Sequence, residues 1–230
     1  MKIIKKIKSK LIVSCQPVVR GALDNHAITL ALAQASVNGG ASALRIDGEK
    51  NVYNVKKKVK VPIIGIKKRK LNNSEVVITP FCEDVKSLAE SGADIIAFDA
   101  TLRKRPIEIN KLIEVIHKNK CIAMADCSNF YEAINATDLG ADIVATTLSG
   151  YVKNKTIPKN PDFRMITQYK SNIHNKPIIA EGRFNTPKLA AEAIRRGAHA
   201  VVVGTAINRV EIITNWFVEE MNKWIIRIYL

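Results

Sequence analysis

The sequence predicts an α/β fold, a single (β/α)8 TIM barrel spanning residues 1–230. A Gly-Ala step precedes a short apolar run four times, beginning at Gly40, Gly92, Gly140 and Gly197. Four further apolar runs, each entered from Lys or Pro, alternate with these along the chain, and helix-like segments separate the runs. Apolar strands that alternate with helices indicate a parallel sheet covered on both faces.

The eight apolar runs supply the strands. In chain order they are LIVSCQ (11–16), SALRID (42–47), PIIGIK (62–67), DIIAFD (94–99), CIAMAD (121–126), DIVATT (142–147), PIIAEG (177–182) and HAVVVG (199–204). Eight such units in 230 residues match a closed barrel, whose usual size is about 250 residues. An open doubly wound sheet usually has fewer strands. The sequence also lacks a dinucleotide-binding G-x-G-x-x-G after the first strand and a P-loop.

Helices are predicted between the strands, for example over 26–38, 83–91, 107–119, 131–139 and 186–196. Pro187 suits the first turn of the last of these, and Gly is the expected residue after a final helical turn. The end of the chain, 215–230, is predicted as an amphipathic helix packed on the body of the domain. A membrane-surface anchor is less favoured there because Glu219 and Glu220 would oppose anionic lipid.

The net charge is +15, with 36 Lys and Arg against 21 Asp and Glu. On its own this charge suggests nucleic acid, an anionic membrane surface or an acidic substrate. Aromatic residues make up only 6% of the chain, and the lysines are spread over helices and loops without a recognition motif. A basic nucleic-acid-binding protein therefore stays the alternative from a different class, and we expect neither nucleic acid nor membrane as the partner.

The N-terminal residues, the length of the apolar runs and the cysteines indicate the cellular compartment. Residues 1–10 followed by Cys15 resemble a lipoprotein signal, but a signal needs an apolar stretch of about 7–15 residues, which 11–14 does not supply. No apolar run approaches the roughly 18–20 residues of a membrane span. No C-x-x-C pair and no zinc-ligand spacing occurs among Cys15, Cys82, Cys121 and Cys127. We expect a reducing, cytoplasmic location and no metal.

Polar side chains end six of the predicted strands on the inward parity. In a barrel the active site lies at the carboxyl ends of the strands, and side chains alternate inward and outward. The inward positions lead to Gln16, Arg45, Lys68, Asp99, Asp126 and Glu181. Unpaired buried charge is costly, so this convergence predicts a catalytic pocket. The competing interpretation is that these are ordinary polar residues of surface loops.

The last two strands predict a phosphate site. Loops after strands seven and eight of such barrels commonly bind phosphate through backbone N–H groups. Here those loops contain Gly182-Arg183 and Gly204-Thr205, with Arg209 shortly after. The alternative is that both glycines only form turns.

The chain resembles the bacterial N-acetylmannosamine-6-phosphate 2-epimerases, which are phosphate-binding barrels of the ribulose-phosphate type. The resemblance rests on LIVSCQP (11–17), ALRIDG (43–48), PIIGIKKR (62–69), VITP (77–80), ADIIAFDATLRKRP (93–106), ADCS (125–128), ATTLSGY (145–151), IAEGRFNTP (179–187) and VVVGTAINR (201–209). It implies conversion of N-acetylmannosamine 6-phosphate to its gluco epimer, in sialic-acid catabolism, without metal or cofactor.

The resemblance also implies roles for individual residues. It assigns catalysis to Lys68 and Glu181. Its motifs also place family positions on Gln16, Arg45, Asp126 and Arg209. We expect the sugar to be bound by Gln16, Arg45, Asp126 and Thr147, and the phosphate by the two loops described above with Arg209, namely by Gly182, Arg183, Gly204, Thr205 and Arg209. We also expect a homodimer. Another phosphate-binding barrel, such as a ribulose-phosphate epimerase or a lyase of tryptophan or thiamine biosynthesis, is the alternative within enzymes.

These residue types suit the reaction. Removing the proton next to an aldehyde needs a base of near-neutral pKa and donors at the developing enolate oxygen. Lys68 can be the base if partial burial and cationic neighbours lower its pKa from about 10.4. Glu181 is expected to orient the substrate, open the ring or return the proton; which residue reprotonates the opposite face stays open.

Two further expectations concern neighbouring segments. Lys67 stands where relatives usually have an aliphatic residue, and parity predicts that it points outward. Residues 152–163 form the longest predicted loop and a candidate lid.

Overall fold

The computed structural model describes residues 2–152, 156–172 and 176–228. Its eight parallel strands close into a barrel in sequential order, β1-β2-β3-β4-β5-β6-β7-β8, with β8 pairing with β1. The predicted (β/α)8 TIM barrel is therefore confirmed.

The strands lie where the apolar runs predict them. Their bounds are β1 Leu11–Ser14, β2 Ala43–Asp47, β3 Ile63–Ile66, β4 Ile95–Asp99, β5 Ile122–Asp126, β6 Ile143–Ala145, β7 Ile178–Glu181 and β8 Ala200–Val203. The helices are α1 Lys2–Ile7, α2 His26–Asn38, α3 Glu49–Lys56, α4 Cys82–Glu90, α5 Ile109–Lys118, α6 Phe130–Asp138, α7 Phe163–Asn172, α8 Pro187–Arg195, α9 Thr205–Asn208 and α10 Val210–Ile228.

Helix starts follow local chemistry. Asn25 caps α2 by accepting a hydrogen bond from the Ile28 amide, and Thr186 caps α8 by accepting one from the Leu189 amide. Pro187 occupies the first position of α8, as predicted, where its missing N–H costs nothing. The sequence therefore specifies where these helices begin through ordinary capping.

The inside of the barrel is filled by one parity of strand side chains. These inner residues are all buried, and they include Ile12, Ala43, Ile64, Ile66, Ile95, Ala97, Met124, Ile143, Ala145, Ile179, Ala200 and Val202. The opposite parity packs under the surrounding helices, as Leu44, Ile63 and Phe98 do. The predicted alternation is correct, so the strand-end residues that share the inner parity are carried to the same end of the barrel.

Helix α1 closes the other end of the barrel. Ile7 is fully buried against the inner residues, with Ile3 and Ile4 packed beside it. His199 Nε2 lies 2.8 Å from the Ile4 carbonyl oxygen and joins this helix to the start of β8. The apolar face of α1 is thus used in closing the barrel.

The C-terminal helix differs from its prediction. It begins at Val210, before the predicted start at residue 215, and its side chains from residue 217 to 224 are exposed instead of packed on the barrel. Phe217 is 67% exposed and Met221 is 65% exposed. An amphipathic pattern shows that a helix has an apolar face, but it does not show which surface covers that face.

Candidate active site

A cavity of about 320 Å³ opens at the carboxyl ends of the strands. Of the eleven residues predicted for catalysis or for binding the sugar phosphate, all but one line it, namely Gln16, Arg45, Lys68, Thr147, Glu181, Gly182, Arg183, Gly204, Thr205 and Arg209. The exception, Asp126, is fully buried and hydrogen bonds to Arg45. The structure thus brings together residues from strands one, two, three, six, seven and eight.

Lys68 is held by a short antiparallel ribbon that follows β3. It bridges to Ile78, while the Arg69 amide donates to the Val77 carbonyl and the Thr79 amide donates to the Lys67 carbonyl. The Lys68 ammonium donates to Gln16 Oε1 at 2.5 Å. The ribbon therefore aims Lys68 across the cavity toward the end of β1.

The surroundings of Lys68 lower its pKa. Burial in the cavity lowers its pKa, although the side chain keeps contact with solvent at the mouth. Arg45 and Arg209 lower the pKa further, whereas Asp47 and Glu181 act in the opposite direction. The net shift is downward, as the sequence predicts for a lysine that serves as a base.

Lys67 points away from the cavity, as its parity predicts. Its ammonium lies 3.0 Å from Glu49 Oε2 and 3.8 Å from Asp84 Oδ1. Arg69 contacts the same buried carboxylate, with Nη2 2.6 Å from Asp84 Oδ1. The two cations flanking Lys68 are therefore bound on the outer side of the barrel.

A buried network lies across the cavity floor. Arg45 donates to both oxygens of Asp126, at 3.1 and 2.6 Å, and its Nη1 lies 3.2 Å from Glu181 Oε2. The Thr147 hydroxyl lies 2.6 Å from Asp126 Oδ1 and 3.2 Å from Glu181 Oε2. One guanidinium thus contacts both carboxyl groups and fixes their positions.

Glu181 carries a raised pKa. Burial is the main cause and the nearby Asp126 carboxylate adds to it, while Arg45, Thr147 and Lys68 oppose the rise. A carboxyl group with a raised pKa can take up and release a proton closer to neutral pH than an exposed glutamate can.

The two glycine loops meet at one side of the cavity. Gly182 has φ +103°, which favours glycine, and a Cβ on Gly204 would lie 3.2 Å from the Ser14 Cβ. Arg209 lines the same side and donates from Nε to the Gln16 carbonyl at 3.1 Å. Backbone amides close to a cationic side chain form a suitable anion site.

Asp99 does not join the cavity, so this part of the six-strand convergence is wrong. Its register partner on β5 is Asp126, and its side chain is fully buried. Arg103 donates to Asp99 Oδ2 at 2.7 Å and Thr101 donates to Oδ1 at 2.6 Å. The carboxylate is satisfied by its own loop.

Sequence reasoning missed Ser14 in the cavity lining and Asp47 beside Lys68. Ser14 lines the cavity and its hydroxyl accepts from Gln16 Nε2 at 2.7 Å. Asp47 accepts from the Lys68 amide at 3.1 Å, and burial raises its pKa against the opposing charge of Lys68. Both lie on the inward parity of their strands, at 12-14-16 and 43-45-47, which is the signal that could have found them.

The described residues hold no group of three or more His, Cys, Asp or Glu side chains arranged to bind a metal ion. Within the same residues, no helix is long and apolar enough to cross a membrane. The predicted lid over 152–163 falls partly outside the described residues, which omit 153–155.

The closed barrel, with a lysine, a glutamate and two glycine loops around one cavity at the carboxyl ends of its strands, defines an enzyme of the TIM-barrel class. Comparisons with known proteins give the family. The model of the N-acetylmannosamine-6-phosphate epimerase family matches residues 29–223. The chain belongs to this family.

Individual relatives agree over nearly the whole chain. A Photobacterium profundum protein named as an N-acetylmannosamine-6-phosphate 2-epimerase is 48% identical over 95% of this chain and 92% of its own length. A Salmonella typhimurium protein of the same name is 50% identical over 90% of each chain. The solved N-acetylmannosamine-6-phosphate 2-epimerase from Clostridium perfringens has a TM-score of 0.90 and 38% identity, covering 94% of this chain and 95% of that one.

Proposed function

We propose that this protein epimerises C2 of N-acetylmannosamine 6-phosphate to give N-acetylglucosamine 6-phosphate, in sialic-acid and amino-sugar catabolism. One observation carries the proposal. A single cavity combines a lysine of lowered pKa, a carboxyl group of raised pKa and two glycine loops suited to phosphate. Family membership favours this reaction over those of ribulose-phosphate epimerases and of the lyases with related barrels.

Lys68 is the proposed base. In its neutral form the amine removes the C2 proton from the open-chain sugar, where the neighbouring C1 aldehyde makes that proton acidic. The electron pair of the broken C–H bond passes into the enolate, and return of a proton to the opposite face of C2 completes the inversion. Hydrogen-bond donors in the cavity stabilise the enolate oxygen while the charge lasts.

Glu181 is the proposed partner for the other proton transfers. Its raised pKa and its place at the end of β7 suit a group that gives and takes a proton during ring opening or return to C2. Arg45 and Thr147 hold its carboxylate in position.

Polar groups around these two residues are proposed to hold the sugar. Arg45 lines the cavity with the same guanidinium that binds Asp126 and contacts Glu181. Gln16 is placed by its contact with Lys68, and Asp126 and Thr147 keep Arg45 and Glu181 in register.

The phosphate is proposed to bind at the backbone of Gly182, Arg183, Gly204 and Thr205 with the Arg209 side chain. These residues line one side of the cavity. The distance from this loop pair to the reacting centre is set by the rigid strands β7 and β8, so the phosphate anchors the sugar without taking part in the chemistry.

The proposed reaction uses no metal and no cofactor. The chain itself offers a base, a carboxyl group and cationic donors at the place where charge develops, and these groups suffice for proton abstraction next to an aldehyde. The sugar phosphate, rather than nucleic acid or a membrane, is the proposed partner.

A homodimer is proposed from the C-terminal helix. Residues spaced by four and seven positions share one side of a helix, and Val210, Phe217 and Met221 do so here with all three side chains exposed. Exposed apolar patches of this kind mark protein contact surfaces, and twofold dimers are the commonest assembly. A cytoplasmic location is proposed because all four cysteines are free thiols.

The direct test is a coupled assay that detects N-acetylglucosamine 6-phosphate formed from N-acetylmannosamine 6-phosphate, run with and without a metal chelator. We expect equal turnover in both. Ribulose 5-phosphate serves as the control substrate. Turnover of the control with none of the amino sugar would reject the proposed function, and loss of activity with the chelator would reject the metal-free mechanism.

A further inference from the structure

Arg183 makes contacts that a simple phosphate ligand would not need. Its guanidinium donates from Nε to the Asn160 carbonyl at 2.7 Å and from Nη1 to the Ser149 carbonyl. The guanidinium carbon also lies 5.4 Å from the centre of the Tyr151 ring. The side chain is thereby engaged with a segment that is distant in sequence.

That segment is the connection between β6 and α7. Its two ends are joined by the Ser149 hydroxyl, which donates to Asp162 Oδ2 at 2.6 Å, while Asp162 Oδ1 accepts from the Met165 amide at 2.9 Å. Arg183 binds a carbonyl near each end of this connection. It therefore fastens both ends to the loop that follows β7.

The fit around the guanidinium is close. Gly150 has φ +80°, and a Cβ there would lie 2.9 Å from Pro158 Cδ and 3.0 Å from Arg183 Nη1. Only glycine leaves the required space without backbone strain. The backbone of Arg183 itself has φ +64°, an uncommon value for a residue with a side chain.

We propose that Arg183 is a positioning residue: its guanidinium holds Ser149 and Asn160, near the two ends of the connection between β6 and α7, and with them Tyr151, against the cavity wall. Tyr151 and Arg183 both line the cavity that holds Lys68. The side chain acts through this wall, while the backbone of the Gly182-Arg183 step faces the proposed phosphate. The inference deepens the proposed function and rests on it for its kinetic consequences.

A clamp and a phosphate ligand respond differently to substitution. Lysine keeps a positive charge but lacks the planar, multi-donor group that reaches two carbonyls at once. If the clamp is the role, Arg183→Lys and Arg183→Ala therefore behave alike. If the charge binds phosphate, Arg183→Lys retains most of the function and Arg183→Ala loses it.

The experiment measures three quantities in both variants and in the unsubstituted protein: tryptic cleavage after Lys159, inhibition by inorganic phosphate, and KM for N-acetylmannosamine 6-phosphate. Lys159 immediately precedes the clamped Asn160 and is exposed. We expect faster cleavage in both variants, unchanged inhibition by inorganic phosphate, and a KM raised roughly tenfold, the effect of losing hydrogen bonds of ordinary strength.

The opposite result overturns the clamp. Unchanged cleavage after Lys159, together with weaker phosphate inhibition that Arg183→Lys restores, would make Arg183 a phosphate ligand. Tyr151→Ala is a second variant that keeps the test decisive if Arg183→Ala does not fold: the clamp predicts faster cleavage with phosphate inhibition unchanged. Cleavage needs no turnover, so an unsubstituted protein inactive on the amino sugar would reject the proposed function without deciding the clamp.

Discussion

Arg45 and Asp126, 81 residues apart in sequence, form a two-pronged ion pair at 3.1 and 2.6 Å with both side chains almost completely buried. The same guanidinium lies 3.2 Å from Glu181. A single cation on β2 thus contacts carboxyl groups on β5 and β7, and the stability of the fold is linked to the geometry of the site.

This arrangement predicts a ranking of variants. Arg45→Met leaves two buried carboxylates without a cation and is expected to cost about 3–5 kcal/mol of unfolding free energy. Asp126→Asn leaves Arg45 paired with Glu181 and should cost less, about 1–3 kcal/mol. Urea unfolding followed by circular dichroism measures both. A larger loss for Asp126→Asn would contradict the shared role of Arg45.

Lys68 is expected to be required for exchange at C2. In the Lys68→Ala variant, incorporation of solvent deuterium at C2 and epimerisation should both fall by at least about 100-fold, the low end of the contribution of general base catalysis. Lys67→Ala is the matched control, because Lys67 is the adjacent lysine but contacts Glu49 outside the barrel. Near-normal exchange by Lys68→Ala would remove Lys68 from the mechanism.

Most of this site could be predicted from the sequence. In a barrel, the alternation of side chains along each strand determines which residues face the interior and meet at the carboxyl ends of the strands. Sequence reasoning went wrong at Asp99, whose partner Arg103 lies four residues further on and turns the carboxylate into part of a loop network. It missed Asp47 because the inward series on the second strand was followed only as far as Arg45. The exposure of α10 was also out of reach, since a periodic pattern contains no information about the covering surface.

Asp47 is expected to set the pH at which Lys68 becomes active. Only the neutral amine accepts a proton, so activity should rise with pH through the pKa of Lys68. Asp47 favours the ammonium form and raises that pKa. In Asp47→Asn the rising limb of kcat/KM should therefore move to lower pH, while the amide oxygen can still accept from the Lys68 amide.

Substitution of Arg209 should shift the same pH profile in the opposite direction. Arg209 lowers the pKa of Lys68, so Arg209→Gln should move the rising limb of the kcat/KM profile to higher pH. Profiles measured in parallel at constant ionic strength separate the two effects. Shifts in the same direction for both variants would show that Lys68 does not produce the rising limb.

The C-terminal helix is expected to hold the dimer together. Phe217 and Met221 are one helical turn apart and exposed, and the double substitution Phe217→Glu with Met221→Glu places charge in the proposed contact. Sedimentation velocity should then show a monomer. Asn222→Glu adds charge on another side of the same helix and should leave the dimer intact. A monomeric unsubstituted protein would contradict the proposal at the outset.

Alanine substitutions at two glycines of similar backbone conformation should distinguish the cost of backbone strain from an effect on phosphate binding. Gly182 has φ +103° beside the cavity, and Gly40 has φ +97° after α2, at the opposite end of the barrel. A Cβ on Gly40 would meet no atom within 4 Å, and one on Gly182 would meet only ordinary contacts, the nearest at 3.6 Å.

Alanine at either position should therefore cost roughly 1–2 kcal/mol of stability through the backbone alone. Only Gly182→Ala should weaken inhibition by inorganic phosphate and raise KM, because of these two glycines only Gly182 lies in a loop proposed to bind the phosphate. Equal phosphate inhibition in the two variants would place the anion site elsewhere on the barrel rim.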